Sequence, residues 1–84
     1  AIVDPRRLLH QLRMYKSAEE LDLIAVAAEI SAQGHVEAMK ATRPGMFEYE
    51  IQGVIEGHFL RAGARAPAYG SIVAGGRNAC ILHY

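Results

Sequence analysis

A long helical pattern between Ser17 and Ala41 constrains this chain more than any other feature of its sequence. Ser17 and Glu20 have the spacing of a capping box, in which the two side chains bond each other's exposed backbone N–H groups. Apolar residues then recur at steps of three and four, the spacing of one helix face. The pattern predicts a helix over 18–41, roughly 30 Å long or more at about 1.5 Å per residue. Its apolar face is larger than so short a chain can easily cover.

Two further helices are predicted, one before and one after the long one. Asp4-Pro5 is a favourable helix start, because aspartate can cap a free N–H and proline suits the first helical position. This predicts a short amphipathic helix over 5–13. Arg43-Pro44-Gly45 ends the long helix, since proline disfavours helix at the residue before it and glycine permits a sharp turn. Apolar spacing predicts another helix over about 47–62.

The residue types change after Ala66, because Arg77 is the only formally charged residue from there to Tyr84. Two short apolar runs are separated by a glycine-rich turn, which predicts a β-hairpin over about 71–84. The predicted fold class is therefore α+β. A lone two-stranded hairpin is marginal in water, so this one should belong to a wider sheet. The other strands are absent, and we therefore expect the chain to be a fragment of a larger protein.

Composition excludes several classes of protein. Nine basic residues balance nine acidic ones, so no net field would draw the chain to nucleic acid or to an anionic membrane. No apolar run approaches the about 20 residues that a membrane span needs. The single cysteine, Cys80, cannot form an internal disulfide, which fits a reducing, cytoplasmic location. The four histidines lie far apart and show no metal-ligand spacing, so no metal is expected on this chain alone.

His83 is the most informative candidate for chemistry. On a strand it would face the side opposite Leu82, and an imidazole can donate, accept or transfer a proton near neutral pH. The pattern alone fits a half-buried histidine bonded to backbone better than a functional one. Tyr69 and Tyr84 offer phenolic donors in the same region, although most buried tyrosines only pack and find one partner.

Two other groups of residues are explained without chemistry. Glu48 and Glu50 fall in the first turn of a predicted helix, where the helix dipole favours negative charge. The stretch Gly75-Gly76-Arg77-Asn78 has neither the Lys-Ser or Lys-Thr pair nor the following helix of a phosphate-binding loop. It is predicted to be a turn.

Several segments together resemble the Xaa-Pro aminopeptidase family (aminopeptidase P) of the pita-bread metallopeptidases. The segments are Leu12 to Glu20, Arg43 to Glu50, Gly63 to Gly76 and Asn78 to Tyr84. The most specific part is the pairing of A-Y-x-S-I-V-A-x-G with N-A-x-I-L-H-Y at this spacing. The resemblance covers most of the chain, from Leu12 to the last residue.

The resemblance implies a fragment of a pita-bread fold, in which helices cover a curved antiparallel sheet. It implies an enzyme that removes the N-terminal residue from peptides with proline at the second position, using a pair of divalent ions, usually Mn²⁺. The family's metal ligands would lie beyond Tyr84, so none is assigned here and this chain alone would be inactive. His83 matches a histidine that bonds the substrate around the scissile bond, and Tyr69 matches a tyrosine near the pocket.

The same resemblance divides the chain into two parts. Residues 1–16 would be a linker helix from a missing N-terminal domain, and residues 17–84 the N-terminal portion of the catalytic domain. The remainder of that domain, or a second copy of the chain, would be the macromolecular partner. Two alternatives stay open: a prolidase, methionine aminopeptidase or metal-free relative of the same fold, and a small helical protein-interaction module. The I-L-H-Y block argues against the methionine enzymes.

Overall fold

Three α-helices follow one another in the computed structural model, which describes residues 1–84. They are α1 (Arg6–Met14), α2 (Ala18–Ala41) and α3 (Glu48–Arg61), and a short 3-10 helix (Gly76–Cys80) follows them. The helices predicted over 5–13, 18–41 and 47–62 are confirmed to within a residue at each end. None of the helices is both long enough and apolar enough to cross a membrane.

The ends of α2 are fixed by local hydrogen bonds, and the capping box predicted at its start is confirmed. The Ser17 hydroxyl accepts from the Glu20 N–H at 3.2 Å, and the Glu20 carboxylate accepts from the Ser17 N–H at 3.3 Å. At the other end, the Thr42 N–H and hydroxyl both donate to the carbonyl of Ala38, at 3.0 and 2.7 Å. Groups that a helix end leaves unpaired are therefore satisfied on both sides.

Close packing of α2 against α3 depends on Gly34. Gly34 and Ala38 are the only two buried residues of the chain, and both lie on the face of α2. A Cβ at position 34 would lie 2.8 Å from Cε1 of Phe59 and 3.2 Å from Cγ1 of Ile55. A glycine in a helix costs about 1 kcal/mol relative to alanine, and here it allows the Phe59 ring to approach the α2 backbone.

Gly34→Ala is therefore expected to lower the free energy of unfolding of the full-length protein by roughly 1 kcal/mol. Overpacking against Phe59 should cost about 1–3 kcal/mol, which exceeds the gain in helix propensity. Gly53→Ala is the matched control, because a Cβ at this position in α3 meets nothing within 4 Å. It should stabilise by about 0.5–1 kcal/mol. Urea denaturation measures both, and a stabilised Gly34→Ala variant would contradict the packing argument.

The β-hairpin predicted over 71–84 is wrong, and with it the α+β fold class. No residue of the chain is in a strand, so the fold is all-helical. The Gly75 N–H donates to the Glu48 carboxylate at 2.8 Å instead of to a neighbouring strand. The N–H of Ile81 donates to the carbonyl of Asn78 at 3.0 Å and closes the 3-10 helix. The glycine-rich stretch thus continues as a helical turn rather than reversing the chain into a ladder.

The three helices form a thin layer that does not enclose a core. The principal extents are 58 × 30 × 16 Å and the radius of gyration is 17.4 Å. A compact domain of this length would have a radius of gyration of about 12 Å. Ala38 is the only buried hydrophobic residue, and large apolar side chains are exposed along all three helices. The apolar faces of the helices are therefore left largely uncovered by this chain itself.

Candidate functional site

Glu48, the first residue of α3, binds the C-terminal segment of the chain through hydrogen bonds from three residues. Its Oε1 accepts from the backbone N–H of Gly75 at 2.8 Å and from Nδ2 of Asn78 at 2.7 Å. Its Oε2 accepts from the hydroxyl of Tyr84 at 2.9 Å. Asn78 Nδ2 also lies 3.0 Å from that hydroxyl. The four groups form one connected network between the start of α3 and the segment 75–84.

The Glu48 carboxylate is free to form this network because another glutamate caps the helix. Glu50 Oε2 accepts from the Phe47 N–H at 2.7 Å and satisfies one of the exposed donors at the start of α3. The hydrogen bonds from Gly75, and then those from Asn78 and Tyr84, hold the pKa of Glu48 below its usual value. The same contact raises the pKa of the Tyr84 phenol, through its hydrogen bond to Glu48 and through the charge of that carboxylate.

The lowered pKa of Glu48 predicts an acid-sensitive contribution to stability. A carboxyl whose folded pKa lies below its ordinary value of 4.5 stabilises the fold fully above pH 4.5 and loses that contribution as pH falls through the folded pKa. The melting-temperature difference between the wild-type full-length protein and Glu48→Gln should therefore shrink as pH is lowered below 4.5. Thermal melts at several pH values measure it. A difference that stays constant into strong acid would show that the carboxylate charge contributes nothing.

Glu56 provides a second carboxylate on α3, which is close to Ser71 and Gln52. Hydrogen bonds from the Ser71 side chain, and then from Gln52, lower the pKa of Glu56. The Gln52 amide donates to Glu56 Oε1 at 2.9 Å. Gly75 is therefore bonded to the start of α3 through Glu48, and Ser71 lies beside Glu56 farther along the same helix.

His83 lies in a turn just after the 3-10 helix, and its side chain is exposed. Its predicted position on a strand, alternating with Leu82, is wrong because no strand forms there. His83 is the only non-glycine residue of the chain with a positive φ, 56°. This left-handed conformation costs about 1–3 kcal/mol in a non-glycine residue and recurs at functional sites. The role of His83 in binding substrate stays a prediction.

Tyr69 lies elsewhere, at an apolar cavity of about 610 Å³ between α2, α3 and the extended residues that follow α3. Most of the lining side chains are apolar, among them those of Leu23, Ile30, Phe59 and Val73. Tyr69 is 81% exposed at the edge of this cavity, and His83 does not line it. The structure therefore does not bring the two predicted site residues into one cavity, and the role of Tyr69 also stays a prediction.

No metal centre is assembled from the residues of this chain. No group of three or more histidine, cysteine, aspartate or glutamate side chains is placed to hold an ion. His35 Nδ1 lies 2.8 Å from the Ser31 carbonyl of its own helix, and Cys80 is a free, exposed thiol. His58 is half-buried against α2, and its Nε2 has no hydrogen-bond partner. The side chains present do not fit a divalent metal site.

Sequence reasoning missed the network around Glu48. The glutamate is 27 residues from Gly75 and 36 from Tyr84, and no periodic pattern connects positions so far apart. A glutamate in the first turn of a helix is already accounted for by the helix dipole, so its position gave no signal of a second role. Asn78, interpreted only as a turn residue, forms part of the same network.

The sequence matches known proteins over most of its length. The pattern of metallopeptidase family M24 matches residues 22–84. The chain is 48% identical to an Xaa-Pro aminopeptidase of Escherichia coli (strain K12) over 83 residues, which are 99% of this chain and 19% of that protein. An Xaa-Pro aminopeptidase of Haemophilus influenzae is 53% identical over 83 residues, with the same coverage of 99% and 19%. A human Xaa-Pro dipeptidase is 36% identical over 75 residues, 88% of this chain and 15% of that protein.

A solved structure agrees with the arrangement of the helices. The structure described as proline aminopeptidase P II from Yersinia pestis superimposes with a TM-score of 0.91 and 55% sequence identity. The superposition covers 98% of this chain and 19% of that one. The chain thus spans about a fifth of the length of the aminopeptidases that it matches.

Proposed function

Because the chain belongs to metallopeptidase family M24, we propose that it is part of an enzyme that hydrolyses the bond between an N-terminal residue and a following proline. One observation carries the proposal: 99% of the chain aligns with Xaa-Pro aminopeptidases at 48–53% identity. The dipeptidase match is shorter and weaker, at 36% over 75 residues. The difference favours an aminopeptidase over a prolidase.

Residues 17–84 would form the N-terminal portion of the catalytic pita-bread domain, and residues 1–16 a linker helix from a preceding domain. The thin shape and the apolar cavity beside α2 and α3 support this assignment. An exposed apolar surface of this kind is favourably buried against another element. The remainder of the catalytic domain would supply that element.

His83 would bind the substrate by hydrogen bonds around the scissile peptide bond, and Tyr69 would contribute to the pocket. The exposed side chain of His83 and its left-handed backbone support a role outside packing. The pair of divalent ions, Mn²⁺ or a similar metal, would be held by residues outside this chain, since these 84 residues provide no ligand group. We therefore propose that this chain is inactive alone.

The test uses the full-length protein and three peptides. A tripeptide with proline in the second position should be cleaved after its first residue, whereas the same tripeptide with alanine there should be cleaved far more slowly. Cleavage should stop on chelation and return on addition of Mn²⁺. Cleavage of an Xaa-Pro dipeptide, with the tripeptide left intact, would instead identify a prolidase.

One outcome would contradict a peptidase function of any kind. If the full-length protein hydrolyses none of these peptides under any metal condition and forms a stable assembly through this segment, the helical interaction module is correct. The broad apolar face of α2 is the observation that supports an interaction module as the second candidate function.

A further inference from the structure

We propose that Glu48 is a positioning residue that holds His83 in the position from which it binds substrate. The inference rests on the proposed function of His83 in binding substrate. Glu48 is at the start of α3 and His83 is 35 positions along the chain (83 − 48). The network described above joins these two regions through hydrogen bonds from Gly75 and Asn78, which precede His83, and from Tyr84, which follows it.

The hydrogen bonds act on both sides of His83. Upstream, Glu48 Oε1 binds the Gly75 N–H at 2.8 Å and the Asn78 side chain at 2.7 Å, which fixes the 3-10 helix leading to the turn. Downstream, Glu48 Oε2 binds the hydroxyl of Tyr84, the residue next to His83, at 2.9 Å. A single carboxylate thus fixes the segment before and after the histidine, using bonds strengthened by its charge.

The turn needs such a support because its own backbone is unfavourable. His83 has φ 56°, a conformation that a non-glycine residue keeps only where the surrounding structure holds it. The stretch 71–75, which precedes the 3-10 helix, forms no strand ladder. The side chain of Glu48 takes the place of that ladder by accepting the Gly75 N–H.

A role of Glu48 in helix capping alone does not account for these contacts. Glu50 already accepts the Phe47 N–H at 2.7 Å and serves as the cap of α3. Glu48 directs both of its carboxylate oxygens to the C-terminal segment instead. The lowered pKa of Glu48 agrees with a carboxylate that is charged and fully bonded at neutral pH.

The test is a double-mutant cycle in the full-length enzyme with a tripeptide carrying proline in the second position. Glu48→Ala should lower kcat about tenfold, with KM changed less than about twofold, because a displaced histidine weakens bonds around the scissile bond. In a His83→Ala background, Glu48→Ala should have no further effect beyond about twofold. Glu48→Gln should recover most of the activity, since its amide oxygen still accepts from Gly75 and its amide N–H can donate to the Tyr84 hydroxyl.

Glu50→Ala is the matched control, because it removes a carboxylate from the same helix turn without touching segment 75–84. It should lower the melting temperature and leave kcat within about twofold of wild type. Should Glu48→Ala fail to fold, Tyr84→Phe removes only the two bonds of the Tyr84 hydroxyl and leaves those from Gly75 and Asn78 to Glu48. It should lower kcat about threefold, again only when His83 is present.

Two results would overturn the inference while leaving the proposed function intact. One is a loss of activity in Glu48→Ala that is the same size with and without His83. The other is a wild-type kcat in Glu48→Ala when His83→Ala is impaired. If His83→Ala itself has wild-type activity, the proposed role of His83 fails, and this inference fails with it.

Discussion

Replacing His83 with alanine in the full-length protein is expected to lower kcat about 100-fold and to leave the bound metal per subunit unchanged. The imidazole is proposed to donate to or accept from the substrate around the scissile bond. Its side chain is exposed, and its φ of 56° is the one left-handed non-glycine conformation in the chain. Removing a single hydrogen-bonding group of this kind acts mainly on the transition state.

The measurement combines steady-state kinetics with metal analysis of the same preparations. His10→Ala is the matched control, since His10 is an exposed histidine on α1, and it should keep wild-type kcat and KM. Loss of metal in His83→Ala would make His83 a ligand rather than a substrate-binding group. An unchanged kcat would remove it from the site.

The isolated 84-residue chain is expected to show no cooperative thermal unfolding transition, although it should retain part of its helix. Only Ala38 is buried among its hydrophobic residues, and its radius of gyration of 17.4 Å is well above the about 12 Å of a compact domain. Burial of apolar surface is the main term that offsets the entropy lost on ordering each residue, about 1–2 kcal/mol for the backbone alone. In this chain the stabilisation from buried apolar surface is therefore small.

Circular dichroism and hydrogen exchange measure this expectation directly. The helical signal should fade gradually with temperature, and amide protection should be weak throughout, with the remaining helix in α2 because its capping box is local. The full-length protein, in which the same helices should be protected, is the control. A sharp transition with strong protection of α2 and α3 in the isolated chain would contradict the reasoning and favour an independent interaction module.

The helices could be predicted because their causes are local in sequence. The capping box of Ser17 and Glu20, the break at Pro44 and the apolar spacing between them act over a few residues, and the structure confirms the helices they predict. The pairing of A-Y-x-S-I-V-A-x-G with N-A-x-I-L-H-Y likewise indicated the right family, as the match to family M24 over 22–84 shows. Periodicity and capping alone would not have identified it.

The C-terminal segment could not be predicted in the same way. Its two short apolar runs fit strands, but a strand exists only where another backbone pairs with it. The Gly75 N–H instead finds the carboxylate of Glu48, 27 residues earlier, and the segment turns into a 3-10 helix. Gly34 is similar, since only the packed Phe59 ring shows why a glycine interrupts the face of α2.

The sequence by itself determined where each helix begins and ends and which family the chain belongs to. Helix caps, helix breaks and short motifs each depend on residues that are close together in the sequence. Only the tertiary structure decided the conformation of residues 71–84 and the partners of Glu48. The conformation of this segment and the hydrogen bonds of Glu48 depend on which distant groups meet once α3 has formed. A hydrogen bond between residues 36 positions apart cannot be inferred from the local sequence pattern.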